Sequence, residues 1–246
     1  MKKIWMFVLA FLLSSAVYAE VTNLTAPLHK LVQDGRDIYL GEIHGTREVP
    51  ELVYELVTAA LSDQHPERVT VSLELDSSAQ SLLGFAWSGT DGRHSQAMFE
   101  LVKKLQVLTK DYALSIHYQH DDYNKFESSQ SVRERQMGQA IKVLAKNTQL
   151  IALSGNAHSA EQPFGAGAPV PVGAYVGSGV LNIYLASVQA YTAWNCYQGP
   201  CKEQQFEPWP DNQPNAGTLV SGELVHHDYI YFMPIASASP PQSLLP

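Results

Sequence analysis

The chain has 246 residues, of which 45% are hydrophobic and 16% are charged, and its formal net charge is −8. This acidic balance argues against nucleic acid as a partner, because proteins bind the phosphate backbone through basic surfaces. The length corresponds to about one moderately sized domain.

The N-terminal residues have the pattern of a secretory signal peptide. Lys2 and Lys3 precede an apolar run over residues 4–13, and Val17-Tyr18-Ala19 has the pattern of a small-residue cleavage site. The apolar run is too short for a membrane span, and no later stretch reaches the required length. We therefore expect cleavage near Ala19, a periplasmic or secreted protein, and no stable membrane span.

The first strand after this segment ends in a group of residues suited to chemistry. Residues 37–40 are strand-like and lead directly into Gly41-Glu42-Ile43-His44-Gly45. From Thr46 onward, apolar residues recur at helical spacing. The pattern predicts strand, loop and helix, and open α/β sheets bind their ligands at such loops. Glu42 and His44 are therefore candidate functional residues.

Strands and helices alternate along the next hundred residues. The expected strands cover 68–75, 112–118 and 149–153, and the expected helices cover 28–33, 95–110 and 128–146. Asp76-Ser77-Ser78 is predicted to cap a short helix, and residues 85–93 are predicted to form a loop. This alternation predicts a mostly parallel central sheet with right-handed crossovers and helices on both faces.

The sequence changes character after His158. Residues 165–179 are rich in Gly, Pro and Ala, and strand-like runs follow at 180–188, 191–194 and 219–233. We expect antiparallel edge strands and covering loops in this C-terminal third, followed by a surface strap or a frayed tail at 240–243. The whole of residues 20–246 is expected to form a single three-layer α/β domain.

The cysteines of the chain are Cys196 and Cys201, with a Gly-Pro turn between them. That turn can bring the two sulfurs together, and an oxidising compartment favours a disulfide. A redox-active pair would show Cys-x-x-Cys at a helix start, which this spacing does not match. We therefore expect a structural disulfide.

Polar residues accumulate where the four predicted parallel strands end. Besides Glu42 and His44, they are Glu74, His117, His120, Asp121, Asp122, Gly155, Asn156 and His158. Carboxylates and imidazoles gathered at one sheet edge can bind a metal or divide the work of general acid and base. Glu42, Glu74 and the histidines also have structural interpretations as capping or hydrogen-bonded residues. Burying charge near apolar strand ends is costly unless the charge is paired or binds a ligand, which favours function.

Among the remaining histidines, His117 is expected to be a core or rim residue and His120 a solvated loop residue. His226 and His227 are adjacent and should face opposite sides of a strand, which disfavours joint metal binding. The sequence contains no Gly-x-Ser-x-Gly elbow, phosphate-binding loop or dinucleotide fingerprint. A serine-triad hydrolase is therefore disfavoured.

Arg133 is a further candidate, four residues before Met137 on the apolar face of its helix. Since a crossover helix begins at the edge where the preceding strand ends, Arg133 should reach the same cleft. Its guanidinium could hold an anionic substrate group or stabilise negative charge on a carbonyl oxygen. The alternative is an ion pair with Asp121, Asp122 or Glu134 that ties down a loop.

Four short motifs, taken together and in order, resemble the superfamily of erythromycin esterase-like proteins, ChaN-type haem-binding proteins and Tiki/TraB-type proteins. They are Gly41-Glu42-x-His44-Gly45, Glu74 at a strand end, Arg133-Glu134-Arg135-Gln136-Met137 and Gly155-Asn156-Ala157-His158. The resemblance extends over most of the mature chain, and a ChaN-like member fits it best. It implies an α/β fold with Glu42, His44, Glu74, Arg133 and His158 as site residues.

The resemblance implies different chemistry for each branch of the superfamily. In the esterase-like branch a histidine activates water. In the Tiki branch two Gly-x-x-His motifs hold a divalent metal for peptide hydrolysis. In the ChaN branch haem binds at a surface contributed by a homodimer, for haem or iron handling.

The sequence thus predicts an exported hydrolase that acts on a small-molecule or peptide substrate. In this hypothesis His44 is the general base, Glu42 and Glu74 orient it or hold water, and Arg133 and His158 stabilise negative charge. A variant uses a divalent metal held by His44, His158 and Glu42. One alternative function is haem binding without turnover, and another is a binding or structural protein that keeps the fold but not the chemistry.

Overall fold

The structure of the protein is a computed structural model. It describes residues 24–62, 68–124, 128–196, 199–208 and 214–244. The expected signal peptide and its cleavage site lie outside the described residues.

The described residues form helices and strands in the alternating order that the sequence predicts. The helices are α1 (Ala26–Gln33), α2 (Glu48–Ser62), α3 (Gln96–Leu108), α4 (Gln130–Ala145), α5 (Asn156–Ser159) and α6 (Gly173–Val176). The strands are β1 (Asp37–Glu42), β2 (Val69–Leu73), β3 (Leu114–Tyr118), β4 (Gln149–Gly155), β5 (Val180–Ser187), β6 (Tyr191–Asn195), β7 (Lys202–Phe206), β8 (Leu219–Ser221) and β9 (Tyr229–Met233). The expected loop at 85–93 contains parts of two 3₁₀ helices, Gly84–Trp87 and Gly92–His94.

The main sheet has the strand order β3-β2-β4-β1-β5-β9-β8. Neighbouring strands are parallel except β8, which pairs antiparallel with β9 at the edge. Strands β6 and β7 form a separate antiparallel hairpin. The expected antiparallel pairing in the C-terminal third is therefore present in β8 and the hairpin, whereas β5 and β9 extend the parallel part of the sheet.

Helices cover both faces of the sheet, which confirms the three-layer arrangement. Helices α1, α2 and α3 pack on one face, and α4 and α6 pack on the other. Along β1, Ile38 and Leu40 join the first core and Tyr39 joins the second. This alternation follows from the two-residue period of a strand that is buried on both sides.

Strands β1 and β4 both continue beyond the apolar runs that predicted them. Gly41 pairs with Ser154 and Glu42 pairs with Gly155 in the parallel register. The mutual hydrogen bonding of the two strands therefore continues where the apolar side chains stop. As a result, Glu42 belongs to the end of β1 rather than to the following loop.

The C-terminal segment is a packed strap and not a frayed tail. Isolated bridges join Thr46 to Ala238 and Ser95 to Pro241. The Gly45 carbonyl accepts hydrogen bonds from the backbone N–H groups of Ser239 at 2.8 Å and Trp194 at 2.9 Å. Gly45 has φ +86°, and a Cβ there would overlap the Trp194 carbonyl, so only glycine fits. The strap and the hairpin thereby hold the loop that follows β1.

Cys196 and Cys201 form a disulfide at the end of the β6–β7 hairpin, as predicted. No helix in the described parts of the chain combines the length and apolarity needed to cross a bilayer.

Candidate active site

The site lies where β1, β4 and β2 end side by side. Glu42 is the last residue of β1, Gly155 is the last residue of β4, and Glu74 directly follows β2. Because β4 lies between β1 and β2, the two glutamates flank its carboxyl end. The sheet therefore brings together residues that are 32 positions apart in the sequence.

His44 lies between two buried carboxylates. Its Nδ1 is 3.0 Å from Glu42 Oε1, and its Nε2 is 3.3 Å from Glu74 Oε2. Glu42 and Glu74 are only 3% and 4% exposed. Position 155 is a glycine, and a Cβ there would lie 3.0 Å from His44 Nε2. The absence of a side chain at Gly155 therefore leaves room for this imidazole. Both ring nitrogens of His44 are therefore engaged within the protein.

Glu74 is the centre of the network. Its Oε2 accepts a hydrogen bond from the Gly155 backbone N–H at 2.7 Å, and its Oε1 accepts one from Arg93 Nη1 at 2.8 Å. The Nε2 atoms of His158 and His120 lie 3.6 Å and 3.8 Å from the same Oε1. Positive charge and N–H donors thus surround this carboxylate, which is the arrangement a buried anion requires.

His158 belongs to a second carboxylate–imidazole pair. Its Nδ1 lies 2.9 Å from Glu134 Oε2, which also accepts the Val172 backbone N–H at 3.1 Å. The side chain of His158 is 27% exposed, compared with 20% for His44. Glu134 therefore orients His158 while leaving the Nε2 edge of the ring toward Glu74 and the cleft.

These contacts determine the charges of the site. Burial disfavours the cationic form of His44, but Glu74 and Glu42 overcome this effect and raise its pKa to about 10. Burial raises the pKa of Glu42, although the hydrogen bond from His44 opposes that rise. Burial acts in the same direction on Glu74, yet His44 and His158 hold its pKa well below the ordinary range. His44 and Glu74 are therefore an ion pair at neutral pH.

The pKa of His158 is also raised. Burial lowers it, but the Glu74 carboxylate and the hydrogen bond to Glu134 outweigh that effect. His158 therefore loses its proton at a pH above 6.5, which is the ordinary pKa of a histidine side chain.

A cleft of about 380 Å³ opens next to this network. Its walls carry Glu74, Arg93, His120, Tyr123, Gln130, Arg133, Glu134, Met137 and His158. Arg133 lines it, as its position on α4 predicts, while Glu42 and His44 lie behind the wall. The cleft is therefore lined mainly by charged and polar side chains.

The five site residues expected from the sequence lie around one edge of the sheet, and the network adds residues that the sequence did not assign. Arg93 also binds Asp91 through its Nη2 at 2.7 Å, and it lies in the segment expected to be a plain loop. Glu134 had a signal in the sequence, because it lies three residues before Met137 on the apolar face of α4. Arg93 had none, since it lies 19 positions after Glu74 in a segment of short 3₁₀ helices and loops.

His120 also differs from its expectation as a solvated loop residue. Its side chain is only 16% exposed, and it faces Glu74. His117 instead contacts Ser72 and Asp122 at the rim of the sheet.

His227 lies outside the site, in a buried contact with Ser159. Burial lowers the pKa of His227 to about 4, so it is a neutral structural residue.

The metal set expected from the sequence is not assembled. Among the residues that the structure describes, no group of three or more His, Cys, Asp and Glu side chains is arranged to hold a metal ion. Both nitrogens of His44 face carboxylates, and His158 contacts Glu74 and Glu134 rather than Glu42. The donor atoms therefore do not fit a three-ligand centre made of Glu42, His44 and His158.

Comparisons with known proteins give a fold and no function. No family model matches the chain, and no curated protein matches it. A crystal structure of a protein from Bacillus cereus is similar, with a TM-score of 0.58 over 88% of this chain and 92% of that chain. The two sequences are 11% identical. The likeness shows a shared α/β fold, and the superfamily indicated by the sequence motifs stays a prediction.

Proposed function

We propose that this protein is a hydrolase that cleaves ester or amide bonds with water activated by His158. The observation that carries the proposal is the Glu134–His158 pair, in which a buried carboxylate holds one ring nitrogen at 2.9 Å and the opposite edge of the ring borders the cleft. A carboxylate-oriented imidazole beside a substrate-sized cleft is the arrangement that general-base catalysis needs.

This proposal moves the general base from His44, where the sequence suggested it, to His158. His44 is cationic at neutral pH, and each of its ring nitrogens has a carboxylate oxygen within hydrogen-bond distance, at 3.0 Å and 3.3 Å, so it has no free lone pair for a water proton. His158 differs, because its Nε2 lies 3.6 Å from Glu74, beyond hydrogen-bond distance. The charge of His44 instead keeps Glu74 ionised. Glu74 in turn lies 3.6 Å from His158 Nε2 and favours the imidazolium that forms when the base takes a proton.

The proposed step balances without any further reactant. A water oxygen bonds to the carbonyl carbon as His158 Nε2 takes one of the water protons. That proton is then delivered to the leaving oxygen or nitrogen as its bond to the carbonyl carbon breaks. Arg93 lines the cleft, and its charge favours the negative charge that develops on the carbonyl oxygen.

The test is a pH–rate profile of the mature protein and its His158→Gln variant on a panel of 4-nitrophenyl esters and short peptides. Wild-type activity should rise with pH through a pKa above 6.5, because the base works only when it is unprotonated. The variant should lose about 10²- to 10⁴-fold in kcat/KM and show no such rise.

The control variant is His29→Gln on α1, which lies 4.0 Å from Glu55 and does not line the cleft, and it should keep both the rate and the profile. Thermal unfolding should show that all three proteins are folded. Full activity with an unchanged profile in the His158→Gln variant would remove His158 from the role of base.

The same samples also test the metal-dependent hydrolase and the haem-binding protein that the sequence suggested. Loss of activity on chelation would support the metal-dependent variant, and a saturable haem absorption band without turnover would support the haem-binding alternative. The charged lining of the cleft does not favour haem, which needs apolar and aromatic surroundings. Export to the periplasm or outside the cell is part of the proposal and is compatible with the Cys196–Cys201 disulfide.

A further inference from the structure

The carboxylates that line the cleft are already paired within the protein. Glu74 interacts with Arg93 and His44, and Glu134 holds His158. The protein therefore provides partners for the negative charges of the cleft wall.

The two arginines of the cleft differ in this respect. Arg93 donates to Glu74 at 2.8 Å and to Asp91 at 2.7 and 3.0 Å, so two carboxylates hold its guanidinium. Arg133 makes one weak hydrogen bond, from Nη1 to the Ser128 carbonyl at 3.4 Å. Within the described residues, no ion pair joins Arg133 to a carboxylate.

The structure also argues against the alternative role of Arg133, an ion pair that ties down a loop. Of the three carboxylates considered as its partners, Glu134 holds His158, Asp122 holds His117, and Asp121 accepts the Ser77 backbone N–H. Arg133 is therefore not the cation of a loop-fixing ion pair in the described residues.

The side chain of Arg133 is nevertheless held in place. Its guanidinium carbon lies 5.7 Å from the centroid of the Tyr123 ring, within the range of a cation–π contact. An arginine placed against an aromatic ring keeps N–H donors free at its edge, where they can bind a planar oxyanion in two places. Gln130, one turn earlier on α4, adds a side-chain amide to the same wall.

We propose that Arg133 forms a subsite for an anionic group, a carboxylate or a phosphate, of the bound molecule. Resting on the proposed hydrolase function, this means that the substrates are esters or amides that carry such a group away from the bond that is cleaved. Arg133 is then a specificity-determining residue, and Arg93 has the separate task of holding Glu74.

The first experiment measures binding without turnover. Inorganic phosphate and hexanoate are titrated calorimetrically into the mature protein and into its Arg133→Gln variant. The ionic strength is held constant, so that the screening of charges by salt is the same in every titration. The variant should bind the favoured anion about 10- to 100-fold more weakly, as expected for lost charge-assisted hydrogen bonds. The relative affinities of phosphate and hexanoate distinguish a phosphorylated from a carboxylated ligand.

The control is Arg135→Gln, which removes the same charge from an exposed position of the same helix. It should leave anion affinity unchanged. Equal weakening in both variants, or anion binding that survives in Arg133→Gln, would overturn the subsite. If Arg133→Gln does not fold, Arg133→Lys replaces it and should weaken binding to a smaller extent, because the charge remains and the planar fork is lost.

The second experiment uses two esters of equal length, 4-nitrophenyl hexanoate and mono-4-nitrophenyl adipate, which differ by a terminal carboxylate. The preference in kcat/KM for the adipate ester should fall about 10- to 100-fold in Arg133→Gln, with little change for the neutral ester. An unchanged preference would overturn the subsite and leave the hydrolase standing. Anion binding that depends on Arg133, without hydrolysis of either ester, would support the subsite and reject the hydrolase.

Discussion

At the scale of single residues, Glu74 is the carboxylate around which the positively charged groups of the site are arranged. A carboxylate that is 4% exposed is stable only if donors replace the water it has lost. Arg93 and the Gly155 N–H donate to it directly, and the imidazoles of His44, His120 and His158 lie 3.3, 3.8 and 3.6 Å away. Because Arg93 reaches Glu74 from a loop, the charge of the site depends on a residue outside the expected motifs.

Replacing Arg93 with alanine should affect stability and catalysis in distinct ways. Removing one partner of a largely buried ion pair should lower the free energy of unfolding by about 2–3 kcal/mol, less than for a fully buried pair because Arg93 is 32% exposed. Glu74 would then act more strongly on His158, so the pH–rate profile should shift to higher pH. Chemical denaturation and the profile measure the two effects.

Arg93→Lys keeps the charge, so it should show a smaller decrease in the free energy of unfolding and a smaller shift of the pH–rate profile. The control Arg135→Ala, at an exposed position, should change neither quantity. A loss of stability with an unshifted profile would mean that Arg93 acts only on folding.

At the scale of elements, β1 carries ionisable groups at both ends. Glu42 ends the strand in the site, and Asp37 begins it at the opposite edge of the sheet. Asp37 Oδ1 accepts the Leu150 backbone N–H at 2.7 Å and so ties the start of β1 to β4. Burial nevertheless raises the pKa of Asp37 from 3.8 to about 6, although this hydrogen bond opposes the rise.

Asp37→Asn should therefore stabilise the protein in a pH-dependent way. The folded state binds the Asp37 proton more tightly than the unfolded chain, so the residue lowers stability as pH rises from about 4 to about 6. Asparagine keeps the acceptor for Leu150 and removes the charge. The gain should be about 1 kcal/mol at pH 8, or about 2–4 °C in Tm, after allowance for partial exposure, and near zero at pH 4.

Thermal unfolding at the two pH values checks this expectation, with the exposed Asp34→Asn as control. An equal effect of Asp37→Asn at pH 4 and pH 8 would contradict the assignment of the raised pKa.

At the scale of the whole molecule, the C-terminal third holds the site loops of the N-terminal half. Ser239 of the strap and Trp194 of the hairpin both donate to Gly45, next to His44. Trp194 Nε1 also donates to the Thr90 carbonyl at 2.9 Å, in the loop that carries Arg93. Positions around the sheet edge thus depend on segments more than 100 residues away in sequence.

Removing the disulfide of this hairpin by Cys196→Ser with Cys201→Ser should lower stability moderately. The ring closed by the bond is short, with a sequence separation of five, so chain entropy predicts a loss of about 2 kcal/mol. This corresponds to a decrease of about 4–8 °C in Tm. A reductant should lower the Tm of the wild type by a similar amount and leave the double variant unchanged; sensitivity of the double variant to reductant would point to another cause.

The sequence was sufficient for the parts of the protein that local patterns encode. Apolar periodicity located α2, α3 and α4, and the polar ends of β1, β2 and β4 located Glu42, Glu74 and His158. These positions were predictable because hydrophobic period and strand direction are properties of short segments, and parallel strands necessarily end at one edge.

Contacts between distant residues decided the rest. The roles of Arg93 and Glu134 depend on loops and helices that meet only when the sheet has assembled. The charge of His44 depends on burial between Glu42 and Glu74, and this is why the proposed base is His158. Local sequence shows which residues can ionise, whereas the distances and solvent exclusion that set their protonation arise from tertiary packing.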